Sequence, residues 1–254
     1  MKRYRWLKNI SIVAVACLVY GWAWRGLKIE PNALQNSWQY VTVFLSDFWP
    51  PDWQVIDLAI AALIETIQMS IWGTTLGAIF SLPIAICSAS NLSPLWLRWL
   101  ANFLQNLVRS IPSIVIALIF VAAIGLGAVA GTVAVSIYTI GYLAKFYQET
   151  IESVEPKSLE ALKVTGASWL QIAQYGILPQ VLPLLLGYTL YMFEYNIRAA
   201  SIFGIVGAGG IGFELVTYIN GFERTKAATM IVVLLVVVTT IDFLSSKLRQ
   251  KIEG

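Results

Sequence analysis

Long apolar runs, separated by short stretches that hold most of the charge, constrain this chain more than any motif in it. A helix needs roughly 20 mostly apolar residues to cross a bilayer. Residues 7–24, 58–87, 105–124, 127–147, 180–203 and 226–246 each supply such a run, the last reading KAATMIVVLLVVVTTIDFLSS. With 58% of its 254 residues hydrophobic and 12% charged, against roughly 45–50% and 25% in soluble domains, the chain cannot hide its apolar surface from water by folding on itself. The expected fold class is all-α, a polytopic transmembrane helical protein of about six spans.

Orientation follows from the basic residues, which short cytoplasmic loops collect. With the N-terminus inside, the inner segments hold Lys2, Arg3, Arg5, Lys8, Arg98, Arg109, Lys145, Lys157, Lys163, Lys247, Arg249 and Lys251, and the outer ones only Arg25, Lys28, Arg224 and Lys226. Six spans with both termini cytoplasmic satisfy the rule. Trp22, Trp24, Trp96 and Trp99 fall near span ends, as interfacial rings do. Residues 1–57 read as an anchor helix and an outer connection along the membrane surface, residues 58–254 as the core. The first run resembles a signal peptide, but it stays apolar past Cys17 to Trp24 with no A-x-A site, so an uncleaved anchor is expected. Cys17 and Cys87 lack C-x-x-C spacing and read as two small buried thiols. The chain has no histidine, which excludes a histidine metal site and a Ser-His-Asp triad; no metal or catalytic residue is expected.

IVGAGGIGFEL, residues 205–215, sets Gly207, Gly209 and Gly212 in the spacing G-x-G-x-x-G. That fingerprint means a dinucleotide only between a strand and a helix of a βαβ unit, and here it lies between two spans on the outer face. Two readings remain for Gly207, Gly209, Gly210 and Gly212. They form a tight turn for packing, or a bend whose N–H groups, with a short helix over 212–219, meet an anion or a delivering protein.

The longest inner connection, residues 149–183, is amphipathic: Leu159, Leu162, Val164, Trp169, Leu170 and Ile172 alternate with polar residues at helical spacing. Pro156 suits a first helical turn and Gly166 interrupts the helix. A second short helix fits residues 168–175, and Pro179 and Pro183 start the next span. The segment resembles the EAA loop of ABC-importer permeases, whose pattern is E-A-A, three residues, Gly, nine residues, I-x-L-P. Glu160, Ala161, Leu162, Gly166, Leu178 and Pro179 fall on it, with Leu162 in place of the second Ala and Gly176 in place of the Ile. The resemblance implies a type I importer permease of MetI-like architecture, with a coupling loop at 155–179 that docks into a separate ATPase subunit. Glu160 would contact or orient the groove, and Ala161 and Gly166 would permit close packing.

Residues 175–215 look like the phosphonate (PhnE-like) permeases, which implies uptake of phosphonate, phosphite or phosphate across the bacterial inner membrane. The partners so implied are ABC ATPase subunits, a periplasmic or lipid-anchored binding protein and a second permease copy, in a homodimer. No cofactor is expected on this chain. It has no G-x-x-x-x-G-K-[ST] loop, so ATP and Mg belong to the partner ATPase. A methionine or quaternary-amine permease, an ion-driven secondary transporter and a membrane oxidoreductase are the alternatives.

Glu194 and Arg198 lie i, i+4 in the fifth run, the favourable order for an ion pair, and charges inside a membrane are functional candidates. Either the two neutralise each other and lock a helix, or Arg198, with Glu194, Asn196 and Ser201, lines the substrate path. In the second run Thr66, Gln68, Ser70, Thr74 and Thr75 form a polar small-residue face for helix contacts or an aqueous path, and Glu65 is a third intramembrane charge.

Overall fold

The structure is a computed structural model that describes residues 2–27, 31–155, 160, 162, 164–168 and 171–253. Ala161 lies outside the described residues, as do Lys28, Pro156, Lys157, Leu159, Lys163, Trp169 and Leu170. The chain divides into two units, Met1–Trp49 and Pro50–Gly254. The first contains α1 (Lys2–Gly26) and α2 (Pro31–Ser46). Most of the described side chains of α1 are exposed, Trp22 by 79%. Cys17 is among the exposed ones and Cys87 is half-buried, both free, so the expected burial fails at Cys17.

In the second unit a short 3-10 turn, Trp53–Val55, leads into α3 (Ile56–Ser88), followed by α4 (Leu95–Ser110), α5 (Ser113–Ile124) and α6 (Ala128–Glu152). After the connection that follows α6 come α7 (Leu178–Phe203), α8 (Gly210–Asn220) and α9 (Arg224–Glu253). Among the described residues four helices are long and apolar enough to span a membrane, or up to five if a bent pair is one span. The count of six read from hydropathy is therefore approximate.

The third apolar run, residues 105–124, expected as one span, falls across the bent pair α4 and α5. It turns by 86° between α4 and α5. Pro112 causes the break: its ring disfavours the helical region for the residue before it, and Ile111 accordingly sits at φ −91°, ψ 125°.

The central pair is α3 and α6, and glycine sets their separation. A Cβ on Gly73 would lie 2.3 Å from Val135 Cγ1, and one on Gly77 would lie 2.4 Å from Thr139 Cγ2. Gly73 and Gly77 form a G-x-x-x-G face that lets the backbones meet where large side chains would hold them apart. The hydroxyls nearby are satisfied within their own helix, Thr66 on Ala62 O at 3.0 Å, Ser70 on Thr66 O at 2.8 Å and Thr74 on Ser70 O at 2.6 Å. Thr66, Ser70 and Thr74 thus serve the helix contact, whereas Gln68 and Thr75 are exposed. Tyr138, Leu143, Tyr147 and Ile151 of α6 pack with Val181, Leu185 and Met192 of α7 to continue the core towards the connection between the two helices.

Candidate functional site

The described residues between α6 and α7 form a capped elbow. The helix containing Glu160, Leu162 and Val164 ends at Gly166, whose φ of 77° lies in the left-handed region. Ala167 N–H then donates to Leu162 O at 3.3 Å. This is the six-to-one bond of a Schellman stop, which uses glycine because a Cβ strains that conformation. The next turn starts on a reciprocal cap: Ser168 N–H donates to Gln171 Oε1 at 2.8 Å and Gln171 N–H to Ser168 Oγ at 3.4 Å. Two orphan donors of a helix start are satisfied at once.

Leu162 and Ala167 pack partly buried against the main core, where Val154, Ile172 and Ile177 are buried. Glu160, Gly166, Leu178 and Pro179 are exposed. The motif therefore splits into an inward anchor and an outward face. Its base is fastened too: Ser90 N–H donates to Glu152 Oε1 at 2.7 Å and Asn91 Nδ2 to Ile151 O at 2.8 Å, tying the α3–α4 loop to the end of α6.

The expected separate helix over 168–175, with a fresh start at the prolines, is corrected. The chain runs from Gln171 through a wide π turn, Ile172–Ile177, directly into α7. Pro179 has no N–H to give the carbonyl four residues back and its ring crowds that carbonyl; widening the turn relieves both. Gly176 sits in this turn, and its carbonyl accepts from Gln180 Nε2 at 2.6 Å. From Gln171 onward the chain is thereby helical without a break into α7.

Deeper in the bundle, Glu194 and Arg198 do not pair with each other, which corrects the i, i+4 expectation. Arg198 Nη1 donates to Asp242 Oδ2 at 2.7 Å and Oδ1 at 2.8 Å. Glu194 faces Arg249, whose Nη2 lies 3.1 Å from Oε1 and donates to Oε2 at 3.4 Å. Both charges of α7 thus find opposite charges on α9. The pairing order, 194 with 249 and 198 with 242, fixes the two helices as antiparallel. The Glu194 side chain is 6% exposed, while those of Arg198 and Asp242 are 41% and 42% exposed.

Asn196 is fully buried and joins three helices. Tyr138 donates its hydroxyl to Asn196 Oδ1, and Asn196 Nδ2 donates to Thr74 Oγ1 at 2.7 Å and Thr139 Oγ1 at 3.0 Å. Both ends of its amide are committed within the chain. Ser201 is buried and back-bonds to Ile197 O at 2.9 Å. Of the four path candidates, Arg198 alone combines a charge with a half-exposed side chain.

The glycine stretch is a close-packed corner. Gly207, Gly209 and Gly210 all have positive φ, at 88°, 79° and 70°. Gly207 O accepts from Gly127 N–H at 2.9 Å and Thr66 Oγ1 accepts from Ile211 N–H at 2.9 Å, which fastens the corner to the α5–α6 turn and to α3. A Cβ on Gly212 would fall 1.7 Å from Ser201 O. Dense packing of α8 on α7 thus accounts for Gly212 without a ligand.

Sequence reasoning passed over Asp242, Tyr138, Gly73 and Gly77. An aspartate inside VVVTTIDFLSS was a visible intramembrane charge, and GTTLG was a visible small-residue face. Tyr138 and Thr139 carried no such signal, because a hydroxyl in an apolar run reads alike whether or not it meets an amide.

Over residues 81–254 the chain matches the family described as binding-protein-dependent transport system inner membrane component. It is 36% identical, over 97% of its length, to the phosphite transport system permease protein PtxC of Stutzerimonas stutzeri, of which 90% is covered. It is also 36% identical, over 89% of its length, to the phosphate-import permease protein PhnE of Mycolicibacterium smegmatis, a longer protein of which 43% is covered. Its fold is similar to a chain of the inward-facing MetNI methionine ABC transporter, with a TM-score of 0.71 at 22% identity, over 79% of this chain and 99% of that one.

Proposed function

The chain belongs to the family of binding-protein-dependent transport system inner membrane components, transport subunits and not enzymes, and we propose that it forms half of the pathway of an ATP-driven importer of phosphonate, phosphite or phosphate. The substrate class is supported by the similarity to a phosphite permease along nearly the whole chain. In this reading the second half is another copy of the chain. ATP and Mg are handled by separate ATPase subunits, a binding protein delivers the ligand outside, and both termini lie in the cytoplasm.

The observation that carries the coupling role is the unbroken helical run from Gln171 into the span α7. Glu160 and Gly166 are exposed, Leu162 and Ala167 grip the core, and the π turn leads into α7. A push on a stiff elbow continuous with a span moves that span as a body. Arg198, released from Asp242, is the path residue best suited to an anion, because a guanidinium matches oxyanion geometry.

The test is uptake of labelled phosphite by the chain reconstituted with its ATPase and binding protein. Glu160→Lys is expected to lose the ATPase from the purified complex and abolish uptake. Uptake that persists with no ATPase present would refute the importer reading. Labelling of single cysteines placed at Glu160 or Ser168, after Cys17 and Cys87 are replaced, is expected from the cytoplasmic side only.

A further inference from the structure

Glu65 stands in α3, nine residues after its first residue Ile56, about 13 Å along the axis at 1.5 Å per residue. Its carboxylate lies against the glycine corner, where a Cβ on Gly209 would come within 2.8 Å of Oε1. Among the described residues no donor or cation is paired with it. It borders an open cleft of about 500 Å³ between α3 and α6, which Gln68, Trp72 and Thr132 also line, and among the described residues no basic side chain lines that cleft. Glu65, Gln68 and Trp72 are i, i+3 and i+7, one face of the helix. Thr132 stands one turn inside α6 across from them.

An unpaired carboxylate in an apolar span is costly, and such groups face a cavity and the species that moves through it. A fully ionised anion would meet like charge here in a medium of low dielectric. A phosphorus oxyanion differs, because its second ionisation falls near neutral pH and it arrives with an acid hydrogen. Ionised carboxylate is an acceptor only, while the Gln68 amide donates; the Thr132 hydroxyl gives its hydrogen to Ala128 O at 2.7 Å and so offers the cleft an acceptor. Two acceptors beside one donor suit a ligand that brings an acid hydrogen of its own. The absence of a lining cation keeps the hold weak enough for passage.

We propose that this cleft is a transit site for monoprotonated phosphorus oxyanions, in which Glu65 accepts the ligand's acid hydrogen and turns away tetrahedral anions that have none, such as sulfate. The inference rests on the substrate class proposed above and adds the residue that selects within it.

Phosphite is the probe, used with the complex of this chain, its ATPase and its binding protein. Glu65→Gln is expected to lower phosphite uptake about tenfold, the loss of one charge-assisted hydrogen bond, with the ATPase still co-purifying. Glu65→Asp, which keeps the carboxylate, recovers most of it. In infrared difference spectra of the complex without binding protein, phosphite shifts the carboxylate bands of the wild type; sulfate does not, and Glu65→Gln abolishes the shift. Unchanged uptake by Glu65→Gln, an equal spectral response to sulfate, or a loss confined to phosphonates bearing an ammonium group would each overturn the proposal. Should the wild type carry neither phosphite, phosphate nor methylphosphonate, the substrate reading falls, and the phosphite difference spectrum still decides the role of Glu65.

Discussion

Arg198 on α7 holds both carboxylate oxygens of Asp242 on α9 through a single guanidinium nitrogen, at 2.7 and 2.8 Å. The partner that sequence spacing suggested, Glu194, is instead turned to Arg249 at 3.1 Å. Helix α9 is thus fastened to α7 at two levels by charge as well as by apolar contact. Any anion that engages Arg198 must compete with Asp242.

That competition separates a clamp from a path. Asp242→Ala leaves Arg198 unpaired. It is expected to destabilise the protein by about 1–2 kcal/mol, below the range for fully buried pairs because both side chains are roughly two-fifths exposed. A double variant, Arg198→Met with Asp242→Leu, recovers the thermal midpoint in detergent. If Arg198 serves the path, the double variant stays inactive in phosphite uptake despite its restored stability; uptake that returns with the midpoint assigns the pair to fastening alone.

At Gly166 the left-handed backbone favours glycine, yet nothing lies within 4 Å of where a Cβ would be. Gly166→Val therefore strains the elbow by about 1–2 kcal/mol without a clash. Because the global core is untouched, the thermal midpoint should hardly move while ATP hydrolysis stimulated by the binding protein falls. Gly166→Asn should keep most of that stimulation, since asparagine tolerates this region.

The α3–α6 contact behaves in the opposite way. Gly77→Ala places a methyl group against Thr139 and is expected to cost about 1–3 kcal/mol by overpacking. Adding Thr139→Ser, which removes the methyl group opposite, restores part of the loss. Thermal unfolding of the two purified variants reads the difference. Equal midpoints would mean that the helices separate freely at this level.

Asn196→Ala leaves the Tyr138 hydroxyl without its acceptor, takes the amide donor from Thr74 and Thr139 and opens a cavity, with an expected cost of about 2–4 kcal/mol. Tyr138→Phe removes one donor and should cost less, about 1–2 kcal/mol. A variant at Asn196 that keeps its stability but loses uptake would move this residue from the packing of three helices to the substrate path.

Much of the architecture was legible along the chain, because its signals are local. Apolar length marks spans, Gly166 followed by Ser168 and Gln171 writes a stop and a restart, and the spacing of Glu160, Gly166 and Pro179 identifies the elbow before any fold is known. Pro112, which bends the third run by 86°, was equally visible, but run length outweighed it.

What tertiary structure alone decided is which polar group meets which. Glu194 had two cationic partners within reach, one turn along its own helix and one on a helix that returns alongside. The choice fell to α9 because the antiparallel packing places Asp242 and Arg249 there. Likewise Asn196 lies in reach of Tyr138, Thr74 and Thr139 only because Gly73 and Gly77 let α3 and α6 approach so closely. Spans follow from transfer free energy, which adds residue by residue along the sequence; pairings follow from distances between helices, which no single stretch of chain contains.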